Sequence, residues 1–477
     1  MKAFKVIITS LLCVIALIFP FAGVICAATL TPPQFSNEFT GALDEKYDRL
    51  HSIEGKKIVV VGGSSVAFGL NSAMLEKYTG MPVVNFGLYA ALGTKLMLDL
   101  SRSAIGEGDV VIISPELDPQ TLSLYFSSEH TLKALDGNFG MFWDIPADNQ
   151  LSLLGGMWSF AARKLKLIAE GTVINPSGAY NSANINEYGD LEYPREENVM
   201  DIYYDEGTMI NLSPETVSPD FIDYLNDYVA ECESRGAKVF FAYCPMNEPA
   251  VVDKSLVDSF HEFLSESLDC EIIGTPSEAI MDAGYFYDTN FHLNEAGATA
   301  HTVRLTRDLL FALEIPSAVV ENVPEAPPLP EIDVRYFGED ENARYFLYEK
   351  REGGSYKIVG LTDEGKRQKT LTIPLGYNTY KVTAIGKEAF VGAAAENIII
   401  TENTNLRMLE NGAFLGAVSV RALRILYPNA AMLAPPQDFF GTSDDFRIYV
   451  PESSDYDTHY NWVEVLGIRK ILVKEKR

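Results

Sequence analysis

Two short stretches hold residue types that could do chemistry together. The first, Gly62-Gly63-Ser64-Ser65-Val66-Ala67-Phe68-Gly69, stands where the apolar run Ile58 to Val61 gives way to a helical pattern. A serine in such a turn sits at a helix N-terminus. There, backbone N–H groups and the helix dipole stabilise an oxyanion beside the hydroxyl, which acyl transfer through serine requires. The same residues also make an ordinary tight glycine turn with a serine cap. The second stretch, Asp288-Thr289-Asn290-Phe291-His292-Leu293-Asn294-Glu295-Ala296-Gly297, precedes a long helical segment. A nucleophilic serine needs a neutral imidazole as base and a carboxylate to fix its tautomer, and His292 and Asp288 supply both types. Taken singly, each also serves as a structural hydrogen-bonding or turn residue. Their conjunction with the serine turn points to chemistry.

The elements that would position these residues read as a parallel α/β domain. Short β-branched runs, Ile58 to Val61, Pro82 to Phe86, Asp109 to Ser114, Lys238 to Cys244 and Cys270 to Ile273, alternate with helical patterns near Ser72 to Tyr78, Thr94 to Ile105, Pro219 to Ser234, Lys254 to Leu268 and Ala296 to Leu313. Continuous apolar strands of this kind are covered on both faces. Between 117 and 218 the rhythm breaks into a stretch rich in Tyr, Asn and Gly, including Tyr180, Tyr188, Tyr193, Tyr203 and Tyr204. This reads as an insertion over the C-terminal edge of the sheet, where such segments shape pockets. Its tyrosines could stack on sugar rings or simply pack the insertion.

Together the two motifs and the alternation resemble the SGNH (GDSL-type) hydrolase superfamily over about residues 55 to 313, with Gly63-Ser64-Ser65-Val66-Ala67-Phe68-Gly69 as the first block. The resemblance implies a flavodoxin-like three-layer α/β/α sandwich, activity on ester or acyl substrates, and no need for a metal or nucleotide cofactor. It makes Ser65 the nucleophile, His292 the base and Asp288 its orienting carboxylate, with the N–H groups of Ser65 and Gly93 as the oxyanion hole. Gly87 is the other glycine considered for that hole. Three departures stand out: Ser64 replaces an aspartate, Asp288 lies four residues before His292 where three is usual, and Ser114-Pro115-Glu116-Leu117-Asp118 lacks the asparagine of the third block. Asn85 and Glu116 are the candidate substrate-binding residues, Glu116 either holding a sugar hydroxyl or marking altered chemistry.

The remaining organisation follows from composition. The chain has 477 residues, 47% of them hydrophobic, which excludes wholesale disorder, and 66 acidic against 38 basic residues give a net charge of -28. Such a charge repels polyphosphates and argues against nucleic-acid binding. Lys2 and Lys5 precede an uncharged run, Val6 to Ala28, expected to be a signal peptide or signal anchor over 1–30 that exports the remainder. Cys232, Cys244 and Cys270 show no Cys-x-x-Cys spacing, so neither a disulfide framework nor a zinc site is expected. No dinucleotide loop, phosphate loop or His-Glu-x-x-His motif occurs, and His130, His261 and His301 lack ligand spacing.

After the α/β domain (31–315), five prolines between Pro316 and Pro330 mark a linker, 316–331, and a smaller β-rich domain occupies 332–477. There Ala384-Ile385-Gly386-Lys387-Glu388-Ala389-Phe390 is echoed by Met408-Leu409-Glu410-Asn411-Gly412-Ala413-Phe414, 24 residues on. A period near 24 means stacked repeats. With Tyr449-Val450-Pro451 as a terminal unit, this segment resembles leucine-rich repeats of the bacterial surface-antigen type.

The expectation is thus an exported, membrane-anchored or secreted serine esterase or O-acyltransferase acting on an acylated carbohydrate or other small ester. The alternative is an inactive relative that binds carbohydrate or mediates adhesion through its repeats.

Overall fold

The computed structural model describes residues 19–176, 178–200, 202–316, 320–331, 334–336, 338–351, 353–410, 412–426, 442–443, 445–451 and 472–475. Most of the predicted apolar N-terminal run, residues 1–18, lies outside them. Residues 19–30 are helical, and among the described residues no helix is long and apolar enough to cross a membrane.

The chain divides into two compact units, 1–199 with 208–329, and 200–207 with 330–477. The first is mixed α/β. Its strands are β1 (Ile58–Gly62), β2 (Val83–Gly87), β3 (Val110–Ser114), β4 (Lys238–Ala242), β5 (Met246–Asn247), β6 (Glu271–Ile273) and β7 (Ile280–Met281). Five of them form an all-parallel sheet in the order β2-β1-β3-β4-β6, while β5 and β7 pair separately. The expected apolar runs are these strands. Ile58, Val60, Val110, Ile112 and Phe240 pack on one face with Val66, Leu75, Leu305 and Leu309 from the helices Ser64–Gly69, Ser72–Thr79 and Glu295–Ala312. Val59, Val61, Val111 and Phe241 are buried on the other face, where Leu43–Ser52, Thr94–Ser101 and Pro219–Ser234 cover the sheet. Both layers follow from strands with no polar side to present to water.

In this order the chain leaves β1 for β2 on one side and returns to β3 on the other. Register aligns Gly62 with Gly87 and with Ser114, so three strand ends meet at the point where the winding reverses. Open parallel sheets bind ligands in that crevice.

The 117–218 stretch, read from the sequence as an insertion over the C-terminal edge of the sheet, has regular structure of its own. It contains Ala147–Glu170, a helix of 24 residues that buries Leu153, Met157, Phe160, Ala161, Lys164 and Leu167 along one stripe. Lys164 there is fully buried, its Nζ 2.6 Å from Asp136 Oδ1 and 3.0 Å from the carbonyl oxygen of Thr31. Asp136 Oδ2 in turn accepts the backbone N–H groups of Gln34 and Phe35 at 2.6 and 3.3 Å. One ion pair thereby ties the segment near Thr31 to the insertion. Removing one partner of a buried pair strands the other charge, so Lys164→Met is expected to cost about 3–5 kcal/mol in chemical denaturation of the full chain.

The second unit is a parallel β-solenoid. Thr370–Thr372, Asn397–Ile400, Ala422–Ile425, Arg447–Pro451 and Leu472–Glu475 stack in that order, with Asn397 opposite Ala422 and Ala422 opposite Arg447, two steps of 25 positions. A second parallel stack joins Tyr356–Leu361, Tyr380–Ile385 and Met408–Leu409. Phe390 and Phe414 stack with ring centroids 5.1 Å apart, inside one continuous apolar core. More rungs are present than the two clear repeats that the motif exposes. Residues 200–207 also belong to this unit, held by Arg351, whose guanidinium lies 2.9 Å from Glu206.

Candidate functional site

Strand β1 is buried along its whole length and ends in two glycines. A Cβ on Gly63 would fall 2.0 Å from Glu116 Oε2, so a larger residue there would displace that carboxyl group. The helix then begins at Ser64, which is 6% exposed, and Ser65 behind it is 1% exposed.

His292 arrives on a tight loop between Phe286 and Leu293. The Tyr287 N–H donates to the His292 carbonyl at 2.8 Å, and Thr289 Oγ1 accepts the backbone N–H groups of Phe291 and His292 at 3.2 and 3.0 Å. Asn294 then caps the last helix through Gly297 N–H, 2.9 Å away. The imidazole lies flat on Phe68, with centroids 3.9 Å apart and planes 10° from parallel. Its position is fixed from three sides.

The side chains form a connected line. His292 Nε2 is 2.8 Å from Ser64 Oγ, and His292 Nδ1 is 2.8 Å from Asp288 Oδ1. The far oxygen of Asp288 accepts the Tyr180 hydroxyl at 2.6 Å, and that hydroxyl also lies 3.2 Å from Nδ1. With Nδ1–H donating to the carboxylate, Nε2 is left bare toward the serine, the tautomer a base needs.

The serine that meets the histidine is Ser64, which corrects the assignment to Ser65. Helix rotation turns Ser65 inward, where its hydroxyl is buried without a hydrogen-bond partner among the described residues. The extra residue between Asp288 and His292 does not keep them apart. Both groups bond through their side chains across the loop.

The expected oxyanion donors are corrected as well. The Ser65 N–H donates to Glu116 Oε1 at 2.7 Å. Gly93 N–H closes a turn on the Ala90 carbonyl at 2.9 Å, and Gly93 is needed there for its φ of 85° and because a Cβ would meet the Tyr125 carbonyl oxygen at 2.2 Å. Gly87 N–H is taken by Asn85 Oδ1 at 3.1 Å.

Asn85, expected to bind substrate, is engaged inside the fold. It is fully buried, and its amide donates to Val66 O at 2.9 Å and to Asp190 Oδ1 at 2.8 Å while Lys46 Nζ lies 3.0 Å from its carbonyl. Asp190 also accepts both the N–H and the hydroxyl of Ser72. Burial pulls the Lys46 ammonium down to about 7 while Asp190 opposes that shift. This knot fastens the insertion to β2 and explains the asparagine structurally. Arg195 adds a second fastening, its guanidinium donating to the carbonyls of Phe68, Leu191, Tyr193 and Leu293.

Glu116 does reach the site. It is 2% exposed, and Oε1 lies 3.3 Å from Ser64 Oγ, while Oε2 has no hydrogen-bond partner among the described residues. Burial raises the carboxyl above the ordinary range, the Ser65 N–H opposing the shift.

Tyr180 is the residue that sequence reasoning placed in the insertion without a role at this site. No spacing singles it out from its neighbouring tyrosines. Phe68, by contrast, lies inside the serine motif.

Comparison with protein-family models, with curated proteins and with solved structures finds no match to this chain. The reading of the site therefore rests on its own geometry.

Proposed function

We propose that the α/β unit is a serine-dependent acyl hydrolase or acyltransferase of the SGNH type, with a flavodoxin-like sandwich as its frame. The observation that carries this is the unbroken line Ser64 Oγ, His292 and Asp288, with 2.8 Å at each step. Ser64 Oγ attacks an acyl carbonyl as its proton passes to His292 Nε2, and Asp288 holds the resulting imidazolium. The leaving oxygen takes that proton and departs, which leaves an ester on Ser64. Water, or a sugar hydroxyl, then gives a proton to Nε2, attacks the ester and releases the serine. Water makes the protein an esterase and a sugar hydroxyl makes it a transferase.

The substrate class we propose is an acylated, foremost acetylated, carbohydrate of the cell envelope or its surroundings. The chain acts there as an exported protein held at the membrane or secreted. The uncharged N-terminal run and the position of Ser64 at the sheet's switch point support this reading.

A second reading has one observation in its favour. The amides of Ser65, Gly87 and Gly93 are all occupied, as they would be in a protein that binds carbohydrate without reacting. Fluorophosphonate labelling of the full chain separates the two. Label mapped by mass spectrometry to Ser64 supports the acyl-transfer reading, and an unlabelled, folded protein that binds glycans supports the second.

Tyr180 is expected to act through Asp288. Losing a hydrogen bond to a charged group is worth about 1.5–3 kcal/mol, so Tyr180→Phe should lower kcat for 4-nitrophenyl acetate by roughly 10- to 100-fold with KM little changed.

A further inference from the structure

Serine acyl transfer needs a donor at the oxygen that becomes negative, and the three amides nearest in expectation are engaged elsewhere. Two polar atoms beside the nucleophile have no hydrogen-bond partner among the described residues, the buried Ser65 Oγ and Glu116 Oε2, and of the two side chains it is Glu116 that reaches Ser64 Oγ. Glu116 Oε2 is buried, on a carboxyl whose other oxygen lies 3.3 Å from Ser64 Oγ and 2.7 Å from the Ser65 amide nitrogen. As a carboxylate it would oppose an oxyanion formed on Ser64. As a carboxylic acid its parts are already sorted, because Oε1 accepts the amide and the hydroxyl proton belongs on Oε2.

We propose that Glu116 is a neutral carboxylic acid whose Oε2–H donates a hydrogen bond to the acyl oxygen on Ser64 as that oxygen becomes an oxyanion. This rests on the acyl-transfer reading above. No proton is consumed. The carbonyl electron pair moves onto oxygen as the Ser64 Oγ–carbon bond forms and returns when the leaving oxygen departs, while the Glu116 proton stays on Oε2.

The groups that face Glu116 set its charge. Burial favours the acid and Asp118 adds to that, while the Ser65 N–H, the backbone N–H of Glu116 itself and a protonated His292 favour the carboxylate. From the loop after β4, Cys244 faces it as a thiol whose own ionisation burial pushes well up. Neutral Glu116 is also the form that tolerates Gly63 packed against both carboxyl oxygens with no donor for Oε2.

A group that must stay protonated loses its function as pH rises through its raised pKa, so wild-type turnover should show an alkaline decline that belongs to Glu116. Glu116→Gln keeps an acceptor for the Ser65 amide and places an N–H donor on the other arm, but cannot titrate. In the full chain, with 4-nitrophenyl acetate as probe, the alkaline decline should vanish in Glu116→Gln, and Glu116→Ala should lower kcat by about 10²–10³ with KM little changed. Infrared difference spectra of wild type against Glu116→Gln report the same acid without turnover, as a protonated-carboxyl C=O band lost in the variant.

An alkaline decline that survives in Glu116→Gln, a Glu116→Ala protein with wild-type kcat, or the absence of the infrared band would each overturn the donor role. So would complete loss of turnover in Glu116→Gln with the fold intact, which would make Glu116 a base instead. A wild type with neither turnover nor fluorophosphonate label on Ser64 sinks the acyl-transfer reading itself, a failure visible before any Glu116 variant is made.

Discussion

Ser64→Ala is expected to abolish turnover of activated esters and fluorophosphonate labelling, while Ser65→Ala keeps both. The two serines are neighbours of the same chemical type, so the contrast isolates position. Ser64 Oγ is 2.8 Å from the base, and removing the nucleophile of a serine triad costs on the order of 10⁶ in kcat. Ser65 Oγ is a buried hydroxyl with no hydrogen-bond partner among the described residues, and its removal in alanine takes away an unsatisfied polar atom. The Ser65 backbone N–H, which does bond to Glu116, survives the substitution. Ser65→Ala should therefore melt at or slightly above the wild-type temperature by differential scanning fluorimetry. If instead Ser65→Ala is dead and Ser64→Ala is active, the helix is rotated in the working protein and the assignment to Ser64 fails.

That contrast also marks where reading the sequence stops. The strand, the glycine turn and the helix after it are local: a run of β-branched residues, two glycines and a helical pattern define them within a dozen positions. Which of two adjacent serines faces the histidine depends on about 100° of helix rotation, and that is set by Val66 and Phe68 packing far along the chain. His292 and Asp288 were legible because few residue types can serve as base and orienting acid. Asn85, Gly87 and Gly93 were misplaced for a common reason. Each looks like a free polar group in one dimension; Asn85 finds its partners through tertiary contacts with Asp190 and Lys46, and the Gly87 and Gly93 amides find theirs locally, at Asn85 Oδ1 and at the Ala90 carbonyl. The helix Ala147–Glu170 was different, since its buried stripe of Leu153, Met157, Phe160 and Leu167 has helical spacing in the sequence itself. In the repeat unit the motif spacing was visible in the two copies with Ala-Phe, and the other rungs carry the same strand without that motif.

Asp288→Asn is expected to lower kcat by about 10³–10⁴ with KM little changed, and the reason lies in the tyrosine as much as in the histidine. The carboxylate has an acceptor for each neighbour, Oδ1 for His292 Nδ1–H at 2.8 Å and Oδ2 for the Tyr180 hydroxyl at 2.6 Å. An asparagine offers one acceptor and one donor. If its oxygen stays with Tyr180, its NH₂ faces Nδ1 and drives the imidazole proton to Nε2, where it points at Ser64 and removes the base. If its oxygen turns to Nδ1–H, the Tyr180 hydroxyl must reverse, and the imidazolium loses the negative charge that stabilises it. Both arrangements slow the step that takes the Ser64 proton. The loop itself does not depend on this side chain, because Thr289 Oγ1 and the Tyr287 N–H hold its backbone, so circular dichroism and melting temperature should stay close to wild type. Adding Tyr180→Phe to Asp288→Asn removes the competitor for the amide oxygen and frees it for Nδ1–H. The double variant should therefore lose much less than the product of the two single losses, a coupling that a double-mutant cycle in kcat reads directly. Strict multiplicativity would mean that Tyr180 does not act through Asp288, and an Asp288→Asn protein within tenfold of wild type would remove Asp288 from the line altogether.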